Sequence, residues 1–99
     1  MNSSAIEIRI SAITALAITE DSFRVDLEDG RTISIPIAWY PRLDHATDIE
    51  RKNWRLIGKG IGIHWPDIDE DISVEHILAG IPSGESQESL KKWLANRES

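Results

Sequence analysis

The chain has 99 residues, a formal net charge of −6 and no cysteine. That length suits one domain with one hydrophobic core. The negative charge argues against broad binding to nucleic acids or anionic membranes, because both kinds of binding rest on dense Lys and Arg surfaces. The lack of cysteine excludes disulfides, thiolate nucleophiles and zinc–thiolate sites, and it fits a reducing compartment.

The N-terminal stretch "MNSSAIEIRI" lacks the basic start and the long apolar run of a signal peptide. No stretch approaches the roughly 18 apolar residues that a membrane span needs. We therefore expect a soluble, cytoplasmic protein that does not bind membranes.

Residues 12–37 alternate between apolar and polar side chains with a period of two, which predicts an antiparallel β-meander. The first run, "AITALAIT", is apolar on both faces and indicates a strand covered on both sides. A two-residue turn at "ED" then pairs Ile18 with Phe23 and aligns the apolar faces of the first two strands. Pro36 lacks a ladder donor, so it marks a strand end or an edge.

The second turn of the meander also follows from the apolar faces. A two-residue turn at "DG" would pair Leu27 with Thr32 and spoil the apolar face. A three-residue loop that ends at Gly30 pairs Val25 with Ile33 instead. We predict this longer loop, with a positive φ at Gly30.

Beyond the meander, Thr47 and Glu50 form a capping-box pattern that predicts a short helix over residues 48–53. The segment "WRLIGKGIGIHWP" predicts a second β-hairpin that turns at Gly58–Gly60. One face of its second strand is apolar and is formed by Ile61, Ile63 and Trp65.

An acidic run spans Asp67–Asp71. As a calcium loop it would need glycine at position six and glutamate at position twelve, where this chain has Ile72 and Leu78. A looser divalent-cation site remains an alternative. We interpret the run as the start of a helix that ends at Gly80, because carboxylates stabilise helix N-termini. The candidate helix caps are Asp69, Asp71 and Ser73.

The motifs of common enzyme classes are missing. The histidines His45, His64 and His76 lack the i, i+4 spacing of a zinc metalloprotease helix. The G-x-S-x-G pattern of a nucleophile elbow is also absent. We predict a protein without enzymatic activity, with no catalytic residue, no cofactor and no metal.

A basic and aromatic stretch separates two acid-rich ones. Its charges either form a solvated face that pairs with the acidic run or dock an acidic partner or a phosphate backbone. Aromatic side chains and arginine are enriched in interfaces, although Trp39 also suits the core. The candidate interaction residues are Trp39, Tyr40, Arg42, Arg51, Arg55, His64 and Trp65.

The chain divides into a single α+β domain over residues 1–82 and a tail over 83–99. The tail begins with a linker and continues as an amphipathic helix with Trp93 and Leu94 on its apolar stripe. An isolated helix of this length is marginal in water, so we expect it to pack on the domain or on a partner subunit.

Two segments, "LEDGRTISIPIAWYPRL" and "ERKNWRLIGKGIGIHWPDIDEDISVEHILAG", closely resemble a family of small bacterial domains, the domain of unknown function 2442 family. The resemblance covers about Ile13 to Gly80. It implies an α+β domain that occurs alone or fused to a helix-turn-helix region. It also implies a gene neighbour that forms a pair like a toxin and its antitoxin, and it carries no catalytic residues.

The sequence thus predicts an α+β fold: an antiparallel β-meander, a short helix, a second β-hairpin and one or two C-terminal helices. We expect a non-enzymatic interaction module, an antitoxin-like protein that binds a small basic partner or forms a homodimer. The alternatives are a DNA-binding regulator and a metal-dependent or hydrolytic enzyme. Nucleic-acid binding by this chain alone is not expected, because its tail is too short for a helix-turn-helix domain.

Overall fold

The computed structural model describes residues 10–97, in which two antiparallel sheets alternate with helices. The first sheet has the order β1-β2-β3 and the second the order β4-β5-β6. This architecture confirms the α+β class. The strands are β1 Ile13–Ile18, β2 Ser22–Leu27, β3 Thr32–Pro36, β4 Arg55–Ile57, β5 Gly62–Trp65 and β6 Glu70–Ser73; the helices are α1 Pro41–Asp44, α2 Asp48–Lys52, α3 Val74–Ala79 and α4 Gln87–Arg97.

The first sheet has the register that its apolar faces predict. Ile18 lies opposite Phe23, and Val25 lies opposite Ile33. Gly30 has a φ of 96°, which glycine adopts without steric cost, so the longer loop is confirmed.

The expectation that β1 is covered on both sides is wrong. This strand forms an edge of the first sheet, and its residues Thr14 and Ala15 are exposed beside a bulge. The first residue of β1 is closely approached by Gly60, since a Cβ added to Gly60 would come within 3.0 Å of the Ile13 carbonyl oxygen. The turn between β4 and β5 therefore lies against the start of β1.

Short helices join the two sheets. A 3₁₀ turn at Ile37–Trp39 leads into α1, where Pro41 occupies the first helical turn. Helix α2 has the predicted capping box: the Thr47 Oγ1 accepts a bond from the Glu50 N–H, and the Glu50 carboxylate accepts one from the Thr47 N–H.

The second sheet contains one strand more than the predicted hairpin. The acidic segment Glu70–Ser73 forms β6 and pairs with β5, so it does not start a helix. Ile63 and Trp65 are fully buried as expected. Ile61 is 50% exposed, because it ends the 3₁₀ turn at Gly58–Gly60 and precedes the strand.

The two sheets share one core. The Phe23 ring of β2 packs edge-to-face on Trp65 of β5, with centroids 6.0 Å apart, and on Tyr40 at 5.8 Å. Helix α3 begins after Ser73 and ends at Gly80, the predicted end. Helix α4 lies on the same domain, and its Trp93 packs against the core while remaining half-buried.

Candidate functional site

Arg42 connects three parts of the chain. It lies in the short helix α1, and its guanidinium donates to both carboxylate oxygens of Glu85 over 2.7–3.0 Å. It also donates to the backbone carbonyls of Ile68 and Asp69 at 3.1 and 3.3 Å. One side chain therefore joins α1, the turn between β5 and β6, and the linker that precedes α4.

The pair formed by Arg42 and Glu85 is shielded from water. Their side chains are 17% and 9% exposed. The Arg42 guanidinium lowers the pKa of the Glu85 carboxyl, which also accepts a bond from the Ser89 hydroxyl at 2.8 Å. In return, the bonds to Glu85 raise the pKa of Arg42. Such shielded, bidentate pairs are stronger than ion pairs on an open surface.

Trp93 of α4 lies between two guanidinium groups. The Arg42 carbon Cζ is 5.3 Å from the Trp93 ring and that of Arg97 is 4.5 Å from it. Arg97 continues to Glu50 of α2, where its two nitrogens donate over 2.7 and 3.0 Å. Charged and aromatic contacts thus attach both ends of α4 to the domain.

An open groove runs between α4 and the turn that joins β5 to β6. Its larger part has a volume of about 540 Å³ and its smaller part about 370 Å³, and both parts are lined by Arg42, Asp69 and Ser89. The carboxylates along the two parts outnumber the cations. The acidic residues are Asp69, Glu70, Glu85 and Glu88, and the basic ones are Arg42 and Lys92.

Glu70 has an unusual environment in this groove. Glu70 is in β6, opposite Trp65 of β5. Burial raises the pKa of its carboxyl from 4.5 to about 7. The charges of Glu85 and Asp71 raise this pKa as well, whereas Arg42 and a bond from the Asp71 N–H lower it. Near neutral pH, Glu70 therefore exchanges a proton next to the pair of Arg42 and Glu85.

Apart from Arg42, which lines the groove, the predicted interaction residues lie in three settings. Tyr40 and Trp65 are buried at 4% and 0% exposure, so neither ring is presented at the surface. Apolar packing takes both rings into the core. Their polar atoms bond internally: the Tyr40 hydroxyl donates to the Ile81 carbonyl, and the Trp65 indole to the Arg51 carbonyl.

Arg51 also serves the fold. Its guanidinium donates to the backbone carbonyls of Leu43, Asp44 and Glu20 over 2.9–3.3 Å. These bonds connect α2 to α1 and to the turn between β1 and β2. The Arg51 side chain is therefore committed to backbone groups, and it is not a free surface cation.

Trp39, Arg55 and His64 remain at the surface. Trp39 is 39% exposed. Arg55 and His64 lie opposite each other on the outer face of the second sheet, and Asp71 continues this row. The His64 Nδ1 is 2.5 Å from an Asp71 carboxylate oxygen. This row is separate from the groove at Arg42.

Two of the three proposed helix caps are wrong. Asp69 lies in the turn before β6 with a φ of 51°, and Asp71 lies within β6. Strand pairing with β5 takes this segment out of the helix that its acids suggested. Ser73 is the cap of α3, and its hydroxyl accepts the His76 N–H at 3.1 Å.

The groove includes residues that the sequence patterns did not single out. Glu85 and Ser89 have no motif around them, and Glu85 is 43 residues from Arg42 along the chain. Glu70 lies within the acidic run, but no sequence pattern assigned it a role of its own. The apolar stripe of the tail, which contains Trp93, was a local signal. Among residues 10–97, no three His, Asp or Glu side chains are arranged to hold a metal ion. Within that range no helix is long and apolar enough to span a membrane.

Residues 13–83 match the family described as "Protein of unknown function (DUF2442)". The chain belongs to this family. The match includes both sheets and Arg42, and it ends before Glu85 and α4. No curated protein matches the chain.

Two solved structures are similar to this fold. A protein of unknown function from Rhodospirillum rubrum is 26% identical, with a TM-score of 0.66 over 78% of this chain and 95% of its own. An uncharacterised protein from Chromobacterium violaceum is 18% identical, with a TM-score of 0.63 over 87% of this chain and 75% of its own. The second likeness concerns the fold alone.

Proposed function

We propose that this chain is a non-enzymatic interaction module that binds a small basic protein at the groove beside α4. In this proposal it is the acidic member of a two-protein pair, as in an antitoxin and its toxin, and it acts in the cytoplasm. The proposal rests on one observation: the exposed carboxylates of the groove outnumber its exposed cations.

Two cations near the groove, Arg42 and Arg97, are engaged within the chain, whereas Lys92 and the carboxylates of Asp69 and Glu88 face the solvent. Arg42 and Arg97 are bonded to Glu85 and Glu50. The Asp69 side chain is 89% exposed and approaches Arg42 only to 4.0 Å. Glu88 is exposed as well. With a net charge of −6, such a surface steers positively charged partners toward it.

The half-buried Trp93 adds an aromatic face to this acidic groove. A Lys or Arg side chain of a partner is attracted to the exposed carboxylates, while the Trp93 ring, which already contacts Arg42 and Arg97, adds apolar contact area. DNA binding has less support, because Arg42 and Arg51 of the basic stretch donate to carboxylate and carbonyl groups of their own chain.

The test is a pull-down from the source cell with the full chain as bait, followed by mass spectrometry. We expect one small basic protein to be retained at low salt and released at high salt. The double variant Asp69→Asn, Glu88→Gln should lose it, while Glu75→Gln on α3, an exposed carboxylate that does not line the groove, should retain it. Retention of the same partner by all variants, or enrichment of DNA alone, would overturn the proposal.

A further inference from the structure

Helix α4 has no buried residue, and its attachment depends on few contacts. Trp93 is half-buried, and two ion pairs hold the ends of the helix, one from Glu85 to Arg42 and one from Arg97 to Glu50. Helix stability in proteins comes mostly from burying an apolar face. A helix attached in this way detaches at a lower free-energy cost than the sheets unfold.

Glu70 lies in the same groove as the pair that anchors the start of α4. Both Glu70 and Glu85 line its smaller part together with Arg42. A Glu70 carboxylate attracts Arg42 and repels Glu85, so its charge competes directly with the anchor.

We propose that α4 is a proton-gated strap: ionisation of Glu70 draws Arg42 away from Glu85 and releases the helix from the domain. The charged and titratable groups that face Glu70 come from every neighbouring element. Arg42 and Tyr40 flank the start of α1, Asp69 and Asp71 flank Glu70 itself, and Glu85 belongs to the linker. Among these neighbours only Arg42 is cationic, so a charged Glu70 has one available counterion.

The direction of the pH effect follows from linkage. Docked α4 and its linker contribute Glu85 to the surroundings of Glu70, and this neighbour favours the protonated form of the carboxyl. Docking therefore binds a proton, and rising pH weakens it. For a Glu70 pKa of about 7 in the docked state and a lower pKa once Glu85 has moved away, the docking equilibrium weakens as the pH rises through about 7, by at most roughly tenfold between about pH 6 and about pH 8.

Release has a functional consequence. Helix α4 supplies Ser89, Lys92 and Trp93 to the groove, so its departure dismantles the surface proposed for a basic partner. This consequence rests on the proposed function, whereas the release of α4 does not. A basic partner that binds equally at about pH 6 and about pH 8 would leave the proposed function intact and contradict only the proton-dependent release of α4.

The experiment is amide hydrogen exchange of the full chain at about pH 6 and about pH 8, corrected for the intrinsic pH dependence of exchange. We expect the protection of Leu90, Trp93 and Leu94 to fall at the higher pH, by up to roughly tenfold. The amides of Phe23 and Val25 in β2 should keep their protection, which separates release of α4 from global unfolding.

Two variants separate the effect of Glu70 from that of the other ionisable groups. Glu70→Gln, which mimics the protonated carboxyl, should keep α4 protected at both pH values. Glu88→Gln removes a charge from the same groove and should behave as wild type. An equal loss of protection in Glu70→Gln would overturn the proposal. Even without a folded Glu70→Gln variant, a wild-type α4 that is equally protected at both pH values would overturn it.

Discussion

The two-sheet body and the C-terminal helix are stabilised by different physics. Within the described part of the chain, every buried hydrophobic residue lies between Ile13 and Ile77. Helix α4 has none, and it is attached by Glu85, Arg97 and one half-buried ring. We therefore expect the body to be less sensitive than the docking of α4 to moderate changes of salt and pH.

The sharpest way to break this comparison is to remove the same ring from each region. Trp65→Ala empties a fully buried site and removes a bond to the Arg51 carbonyl. It should lower the free energy of unfolding by about 3–5 kcal/mol. Trp93→Ala removes a half-buried ring, and its cost is limited to the docking energy of α4, about 1–2 kcal/mol.

Urea denaturation of both tryptophan variants measures this difference. If Trp93→Ala were as costly as Trp65→Ala, α4 would belong to the cooperative core, and the distinction between the two regions would fail.

Arg42 lies at the border of the two regions. Arg42→Ala leaves the shielded Glu85 carboxylate and the Ile68 carbonyl without their partner. It should cost about 2–3 kcal/mol, less than loss of a fully buried ion pair. Arg42→Lys should recover only part of this, because lysine cannot form the bidentate contact.

Arg55→Ala is the matched control for Arg42, since Arg55 is exposed on the outer face of β4. Its effect on the free energy of unfolding should stay within about 0.5 kcal/mol. Equal costs in urea denaturation for Arg42→Ala and Arg55→Ala would show that the contacts of Arg42 add nothing to stability.

A pair of serine caps sharpens the comparison on a smaller scale. The Ser73 hydroxyl accepts the His76 N–H at the start of α3, and the Ser86 hydroxyl accepts the Ser89 N–H at the start of α4, both at 3.1 Å. Ser73→Ala should lower the free energy of global unfolding by about 0.5–2 kcal/mol. Ser86→Ala should leave global unfolding nearly unchanged and reduce only the amide protection of α4. A loss of global stability in both variants would show that α4 and the two-sheet body unfold together.

The same division explains what could be predicted from the sequence. The register of the first sheet follows from neighbouring strands, a period of two and one glycine, Gly30. The segment Glu70–Ser73 was misread because its acids resemble a helix start, while pairing with β5 over a long range overrides that local preference. Of the three candidate caps, only Ser73 lies at the end of β6, and it alone caps a helix.

The groove was harder to predict than either sheet. The contact between Arg42 and Glu85 joins residues 43 positions apart, and no periodic pattern reports an ion pair at that distance. The stripe of Trp93 and Leu94 did predict that the tail packs on something. No sequence pattern indicates that burial raises the pKa of Glu70, because the environment of its carboxyl exists only in the folded chain.

The smallest expected effect concerns the acid side of α4 docking. Bonds from Arg97 and from the Thr47 N–H lower the pKa of Glu50 from 4.5 to about 2. Such a carboxylate stabilises docking at pH values above 4.5, and this stabilisation is lost as the pH falls toward about 2. Together with ionisation of Glu70, this predicts that docking is strongest at mildly acidic pH.

Arg97→Gln should weaken docking by about 0.2–1 kcal/mol and reduce the loss of α4 protection at acid pH. Some loss should remain, since Glu85 still titrates beside Arg42. The control Lys91→Gln, an exposed cation on the same helix, should follow wild type in the same hydrogen-exchange measurement. Identical acid profiles for Arg97→Gln and wild type would mean that the Arg97 contact does not hold the end of α4.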